Sequence, residues 1–294
     1  MSGGIYQKHG IGARYEFIEF CLCWHGRINR SDLVDVFSIS GSQASADLQN
    51  YAKSAPQNLR YDTGAKTYRR AEHFVPAFSN QTADSYLASL LAIDAGILAP
   101  SAAWLRHIPP FYVTPTPARG VQPKTLRQVV NAVDSRLAIE ILYQSMSSAD
   151  PAWRWIEPHA YAFDGFRWHI RAFCLRDRMF KDFLLSRVLS IKDYGNLRSA
   201  VSTGRDDLEW ISYVQIRIAP HPSLSISQQA AIRLDYGMEE HGWAEINVRR
   251  SMLFYTLKRL GLDIDPSVRN PQDQQIILIN RDEVLGARPA KEFS

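Results

Sequence analysis

The chain has 294 residues, 46% of them hydrophobic, with a formal charge of +4 and a pI near 8.9. That is more chain than one small core needs and too apolar for global disorder, so two or three folded modules are expected. Three cysteines exclude a complete disulfide framework and leave zinc without a second cysteine pair. Residues 1–11 hold no signal-peptide core and no apolar run is long enough to span a bilayer, so the expectation is a reduced, cytoplasmic protein without a membrane partner.

Residues 14–24 place Phe17, Ile18, Cys21 and Leu22 on one helical face. A short helix follows, capped by Ser31 and bearing Leu33, Val34 and Phe37. After a break at 38–41, a second helix repeats Ala44, Leu48 and Tyr51 on one side. Residues 58–70 then read as two strands around Asp62, Thr63 and Gly64, with Gly64 favouring the tip. The order helix, helix, helix, hairpin is that of a winged helix-turn-helix. Such a module inserts its last helix, by the N-terminal end, into the major groove of double-stranded DNA. The residues so placed are Ser42, Gln43 and Ser45, with Gln49 a turn further on, while Lys66, Arg69 and Arg70 on the wing suit phosphates. A solvated polar helix face is the plainer alternative; agreement of all four elements in order favours DNA.

Residues 76–120 read as a connector, helical over 82–91 and then broken by prolines at 100, 109, 110, 115 and 117. It serves either as a strap across another domain or as a stiff spacer. From 124 a helix carrying Leu126, Val129, Val130 and Val133 leads into strands near 137–145, 153–162, 166–174, 180–185 and 188–194, with a hairpin turn at Asp164 and Gly165. A small bent sheet or partial barrel packed on a helix fits better than alternating β-α units. The last module, from about 205, alternates strand and helix: 213–219, a helix capped at Ser225 or Ser227, 243–248, a helix over 250–260 and a strand over 274–280. It lacks a phosphate loop and a dinucleotide fingerprint, and suits assembly or regulation.

The basic excess is concentrated in the centre. Residues 119–205 carry 14 Lys/Arg against 8 Asp/Glu, whereas residues 1–80 carry 9 against 7. Strand alternation puts His169 and Arg171 on one face, turned to a ligand, and Trp168 and Ile170 on the other, in the core. Arg187 returns to the same face if the sheet closes, with Tyr143, Ser145 and His159 as rim donors. Guanidinium forks and aromatic rings suit phosphates and bases. The rival readings are ion pairs of Arg171 and Arg187 with Asp164, Asp182 or the last module, and a structural histidine at 169; Arg154 and Arg167 are weaker candidates. No serine or cysteine nucleophile accompanies the histidines, and no ligand spacing specifies a metal, so neither catalysis nor a cofactor is expected.

Taken together, these residues resemble the WYL-domain transcription regulators. The name-giving segment corresponds to Trp168, His169 and Ile170, with histidine in place of tyrosine, and Arg187 ends the matching stretch. The nearest likeness is to the BrxR and CapW type of phage-defence regulators. The resemblance implies an α+β multidomain fold: a winged helix-turn-helix over 1–75, the connector over 76–120, an Sm-like WYL bent sheet or barrel over 121–200, and a C-terminal α/β WCX dimerisation domain over 205–294. It implies a homodimeric repressor of a palindromic operator. A nucleotide or single-stranded nucleic acid is the implied effector, bound near Tyr143, Ser145, His159, His169, Arg171 and Arg187. A nucleic-acid-sensing adaptor without operator-specific control is the alternative function.

Overall fold

The computed structural model describes residues 10–105, 108–117, 119–196, 202–238 and 240–287. They divide into two compact units, with the boundary between Pro115 and Thr116.

In the first unit, α1 (Ile11–Phe20) continues into a π-helical turn that stops at Gly26, whose φ of +70° is left-handed. The two-residue strand β1 (Arg27–Ile28) leads to α2 (Arg30–Phe37) and α3 (Gly41–Ser54). The cap of α2 is Asn29, not Ser31. Asp32 takes the Asn29 N–H at 2.6 Å and completes a capping box, which Ser31 cannot do because Val34 lies three residues on. Ser40 caps α3 by accepting from the Gln43 N–H, and Ser38, at φ 54°, closes the turn between the helices. Phe17, Ile18, Cys21, Leu22, Leu33, Ala44, Leu48 and Tyr51 form one buried cluster, as the periodicity predicts.

Strands β2 (Leu59–Asp62) and β3 (Thr67–Arg70) make the wing, in the sheet order β1-β3-β2. Asp62 shapes the tip by accepting the Ala65 N–H, and the left-handed residue is Lys66, at φ 50°, rather than Gly64. Buried Glu19 on α1 accepts from Tyr51, from the backbone of Ala77 and Phe78 and from Ser79, which ties the start of the connector to this core. There α4 (Ala83–Asp94) begins at a Thr82 cap.

The second unit opens with α5 (Pro123–Asp134), which buries Thr125, Val129 and Ala132 and leaves Leu126 and Val130 40% exposed. Strands β4 (Leu137–Tyr143), β5 (Ala152–Phe163), β6 (Trp168–Cys174), β7 (Met179–Leu184) and β8 (Val188–Asn196) pair antiparallel in the order β7-β6-β5-β4-β8. The two edge strands are consecutive in sequence, joined only by the 3-10 turn Leu185–Arg187. In a flat sheet they would lie about 19 Å apart, at roughly 4.8 Å per strand. Four extended steps reach only about 14 Å, and a 3-10 turn less. The sheet therefore curls on itself, around Ile139, Ile141, Ile156, Ile170, Ala172 and Phe183. Trp168 is not in that core: it is 52% exposed, beyond the rim, against Phe163, its partner in the ladder.

Next, α6 (Leu208–Ile211), β9 (Tyr213–Pro220), α7 (Ile226–Asp235), β10 (Ala244–Arg249), α8 (Leu253–Arg259), β11 (Ile276–Leu278) and α9 (Arg281–Gly286) build the last module around a β10-β9-β11 sheet. Ser225 is the cap of α7. The short helices α6 and α9, of four and six residues, carry too little periodicity to be legible in the sequence. Among the described residues no helix is long and apolar enough to cross a membrane.

Candidate functional site

The amino end of α3 presents a polar, exposed surface. Ser42, Gln43 and Gln49 are exposed and Ser45 half-buried, while Ala44 and Leu48 hold the opposite face in the core. Three of the four are already engaged within the helix. Ser45 donates to the Gly41 carbonyl at 2.9 Å, Ser42 shares a hydrogen bond with Ser40, and Gln43 Nε2 donates to Asp47 Oδ1 at 2.9 Å. Asp47 is fully buried and is held in turn by Arg14 of α1, whose Nε lies 2.7 Å from Oδ2.

On the wing, Arg69 is bound by Asp62 at 2.7 Å and Arg70 donates to the Cys23 carbonyl at 3.2 Å; Lys66 is exposed at the tip. Two wing residues escaped the sequence reading. Arg27 and Arg60 flank Arg69 in the ladder, so three exposed arginines lie side by side across β1, β3 and β2. Like charges opposite one another weaken a sheet, so the row does nothing for folding and suits a polyanion. Two-residue β1 offers no alternation from which it could have been found.

The central residues separate into two groups. In the first, Arg171 Nε and Nη2 grip both oxygens of Asp207 at 2.7 and 2.9 Å. Nη2 also reaches Glu209 at 2.9 Å, and Nη1 reaches Asp182 at 3.3 Å. His159 meets Asp207 at 3.0 Å, and His169 meets Asp164 at 3.0 Å. The expected ligand-facing side of β6 is thus covered. His169 and Arg171 are 2% and 3% exposed, because α6 and its approach fold over them and α8 sets the Tyr255 ring 4.8 Å from His169. Packing there is close: a Cβ on Gly204 would lie 3.0 Å from His159 Nδ1, and one on Gly165, at φ +97°, would strike the Arg259 guanidinium. Burial pushes the Asp207 carboxyl up, but the bonds from His159 and Arg171 outweigh it and bring the group down to about 2. Asp164 is likewise held well below the usual carboxylate range: burial opposes this, and bonds from His169, Arg167 and the backbone of Phe166 prevail.

The second group lies at the other end of β4. Tyr143 and Ser145, expected on a rim, are 1% and 2% exposed. The Tyr143 hydroxyl accepts from the Leu184 N–H inside the curl, and Ser145 is turned to Ser147. The turn carrying Arg187 is bonded to this end, where its carbonyl accepts from Gln144. Arg187 is half-buried and pairs with no carboxylate among the described residues. Beside Tyr143 stands a residue ranked low on sequence. Arg154 is 3% exposed, its guanidinium lies 5.3 Å from the Tyr143 ring centroid and 5.9 Å from that of Phe183, and its Nε and Nη2 find no hydrogen-bond partner. Ring contacts contribute about 0.5–2 kcal/mol; desolvating a cation costs several kcal/mol. The imbalance fits an anion acceptor at this point. No group of three metal-ligating side chains occurs among the described residues.

Comparison with known proteins bears on all three modules. Residues 10–92 match the BrxR transcriptional regulator winged helix-turn-helix domain, residues 124–193 the WYL domain, and residues 213–284 the BrxR transcriptional regulator C-terminal dimerization domain. The DNA-binding transcriptional repressor CapW of Pseudomonas aeruginosa is 36% identical over 94% of this chain and 91% of its own length. CapW of Stenotrophomonas maltophilia is 35% identical over 96% and 94%. Among solved structures, proteasome accessory factor B/C of Arthrobacter aurescens matches 94% of this chain and 48% of its own at 14% identity, with a TM-score of 0.25. The two CapW relatives are DNA-binding transcriptional repressors. With all three modules in the same order and over a third of residues identical along almost its whole length, the chain belongs to the BrxR and CapW family of WYL-domain transcriptional regulators.

Proposed function

We propose that this protein is a cytoplasmic, homodimeric repressor that binds a palindromic operator through Ser42, Gln43, Ser45 and Gln49, with Lys66, Arg69 and Arg70, joined by Arg27 and Arg60, on phosphates. Release follows when a nucleotide or single-stranded nucleic acid binds the WYL domain. Operator binding is supported by the named relatives and by the arginine row on the wing. The dimer is supported by the match of the last module and by Ile226 and Leu234 of α7, which stand 87% and 83% exposed. Control of a phage-defence system rests on the resemblance alone.

The observation that carries effector binding is Arg154, a buried guanidinium with two unpaired nitrogens. A phosphate there would satisfy the fork, with Arg187 adding field from the next turn. His159, His169 and Arg171 take a different part in this proposal. The donors of His159 and Arg171 are occupied by Asp207 and Glu209 on the segment entering the last module, so these two couple the WYL sheet to that module and contact an effector only if it displaces those carboxylates, whereas His169 is held by Asp164 of its own hairpin turn. Such a displacement would transmit occupancy to the dimer.

The test is an anisotropy titration of the protein–operator complex, at fixed salt, with single-stranded oligodeoxynucleotides and mononucleotides. Wild type should release the duplex; Arg154→Met should bind the duplex with unchanged affinity and fail to release it. Release undiminished in Arg154→Met would move the effector elsewhere.

A further inference from the structure

We infer that Arg14 and Asp47 act as an orienting relay that fixes which edge of the Gln43 amide faces DNA. The protein thereby selects bases that present an amino group in the major groove, adenine or cytosine, at one position of each half-site. The inference rests on α3 being the reading helix, as proposed above. A glutamine amide is normally ambiguous, since its oxygen accepts and its nitrogen donates, and a free rotor can offer either. Here the ambiguity is removed. Asp47, paired with the Arg14 guanidinium, offers its oxygens as acceptors; it sits one turn below Gln43 and takes Nε2 at 2.9 Å. Asp47 is itself immobile, fully buried and clamped by Arg14 Nε at 2.7 Å and Nη2 at 3.4 Å. With the nitrogen pinned inward, Oε1 is the atom left to meet the groove.

The neighbouring hydroxyl agrees. Ser45 has given its proton to the Gly41 carbonyl and has only lone pairs to offer outward. Gln43 and Ser45 therefore both present acceptors, and the helix carries no lysine or arginine before Lys53. In the major groove the amino donors are N6 of adenine and N4 of cytosine, whereas thymine O4 and guanine O6 and N7 would face lone pair to lone pair.

The experiment is selection from randomised duplexes by the full-length protein, followed by affinities for single-base variants of the selected site. Wild type should prefer adenine or cytosine about tenfold over guanine or thymine at one position per half-site, the factor that corresponds to roughly 1.4 kcal/mol. Gln43→Ala should lose that preference at that position alone. Asp47→Asn, nearly isosteric, frees the amide to turn and should admit guanine and thymine to within about twofold. Gln43→Glu, which can only accept, should bind more weakly overall yet keep its preference for adenine or cytosine; it decides the matter if Asp47→Asn fails to fold by circular dichroism. A guanine or thymine preference in wild type, an Asp47→Asn variant that folds and reads like wild type, or a Gln43→Glu variant that loses the preference would each overturn the relay. Gln43→Ala leaving every position unchanged would instead refute α3 as the reading helix.

Discussion

Arg171 and Arg154 stand on neighbouring strands of one curled sheet, and each is 3% exposed, yet their circumstances are opposite. Arg171 points out of the curl and is met by three carboxylates, two of them from the segment entering the last module. Arg154 points inward to Tyr143 and Phe183 and is met by aromatic rings alone, leaving two nitrogens unpaired. The difference teaches that a basic residue in a sensing domain is not thereby a sensing residue. What separates the two is whether the protein supplies its own anion.

The comparison breaks most directly at Asp207. Its removal in Asp207→Ala strips two bonds from buried Arg171 and one from His159, and should lower unfolding free energy by about 3–5 kcal/mol. Denaturant titration measures this, and a loss under about 1 kcal/mol would show that the Asp207 charge cluster is not a structural joint. A smaller effect should come from acid. The Asp207 carboxyl lies near 2 in the folded protein against an ordinary 3.8, so it stabilises fully above pH 4. Roughly 2 kcal/mol should disappear as pH falls through that interval, and Asp207→Asn should flatten this part of the profile. For Arg154 the sign reverses. Exchange for a side chain of similar volume, Arg154→Met, removes an uncompensated buried charge and should leave stability unchanged or raise it by about 1 kcal/mol, read as an unchanged or higher Tm. A loss above about 2 kcal/mol would mean that Arg154 is internally satisfied. The smallest effect belongs to exposed Trp168, where Trp168→Ala should shift stability by no more than about 0.5 kcal/mol, because the ring lies beyond the rim.

Much of the fold was legible because the signals were local. Ala44, Leu48 and Tyr51 recur at helical spacing and are all buried, and Asp164 with Gly165 makes the hairpin turn its composition announces. Local signals mislead where a second local feature competes or an element is short. Asn29 with Asp32 outbid Ser31 for the cap, and β1, with two residues, gave no pattern. The site was less legible. Alternation correctly placed His169 and Arg171 together, but it describes a strand with one buried face, and β6 is buried on both. One face packs into the curl; the other lies under α6 and α8, elements 36 to 86 residues later in the chain.

The sequence by itself determined the order of modules, the helical faces, most strand positions and the alternation that paired His169 with Arg171, since each depends on residues within one or two turns or strands of one another. Only the tertiary structure decided which charges meet. Asp164, Asp182, Asp207 and Glu209 carry no local mark to say that they converge on one histidine–arginine cluster, and nothing near Arg154 announces that it is left without a carboxylate. Partnering of charges depends on how the sheet curls and which later segment covers it, and short-range periodicity holds no record of either.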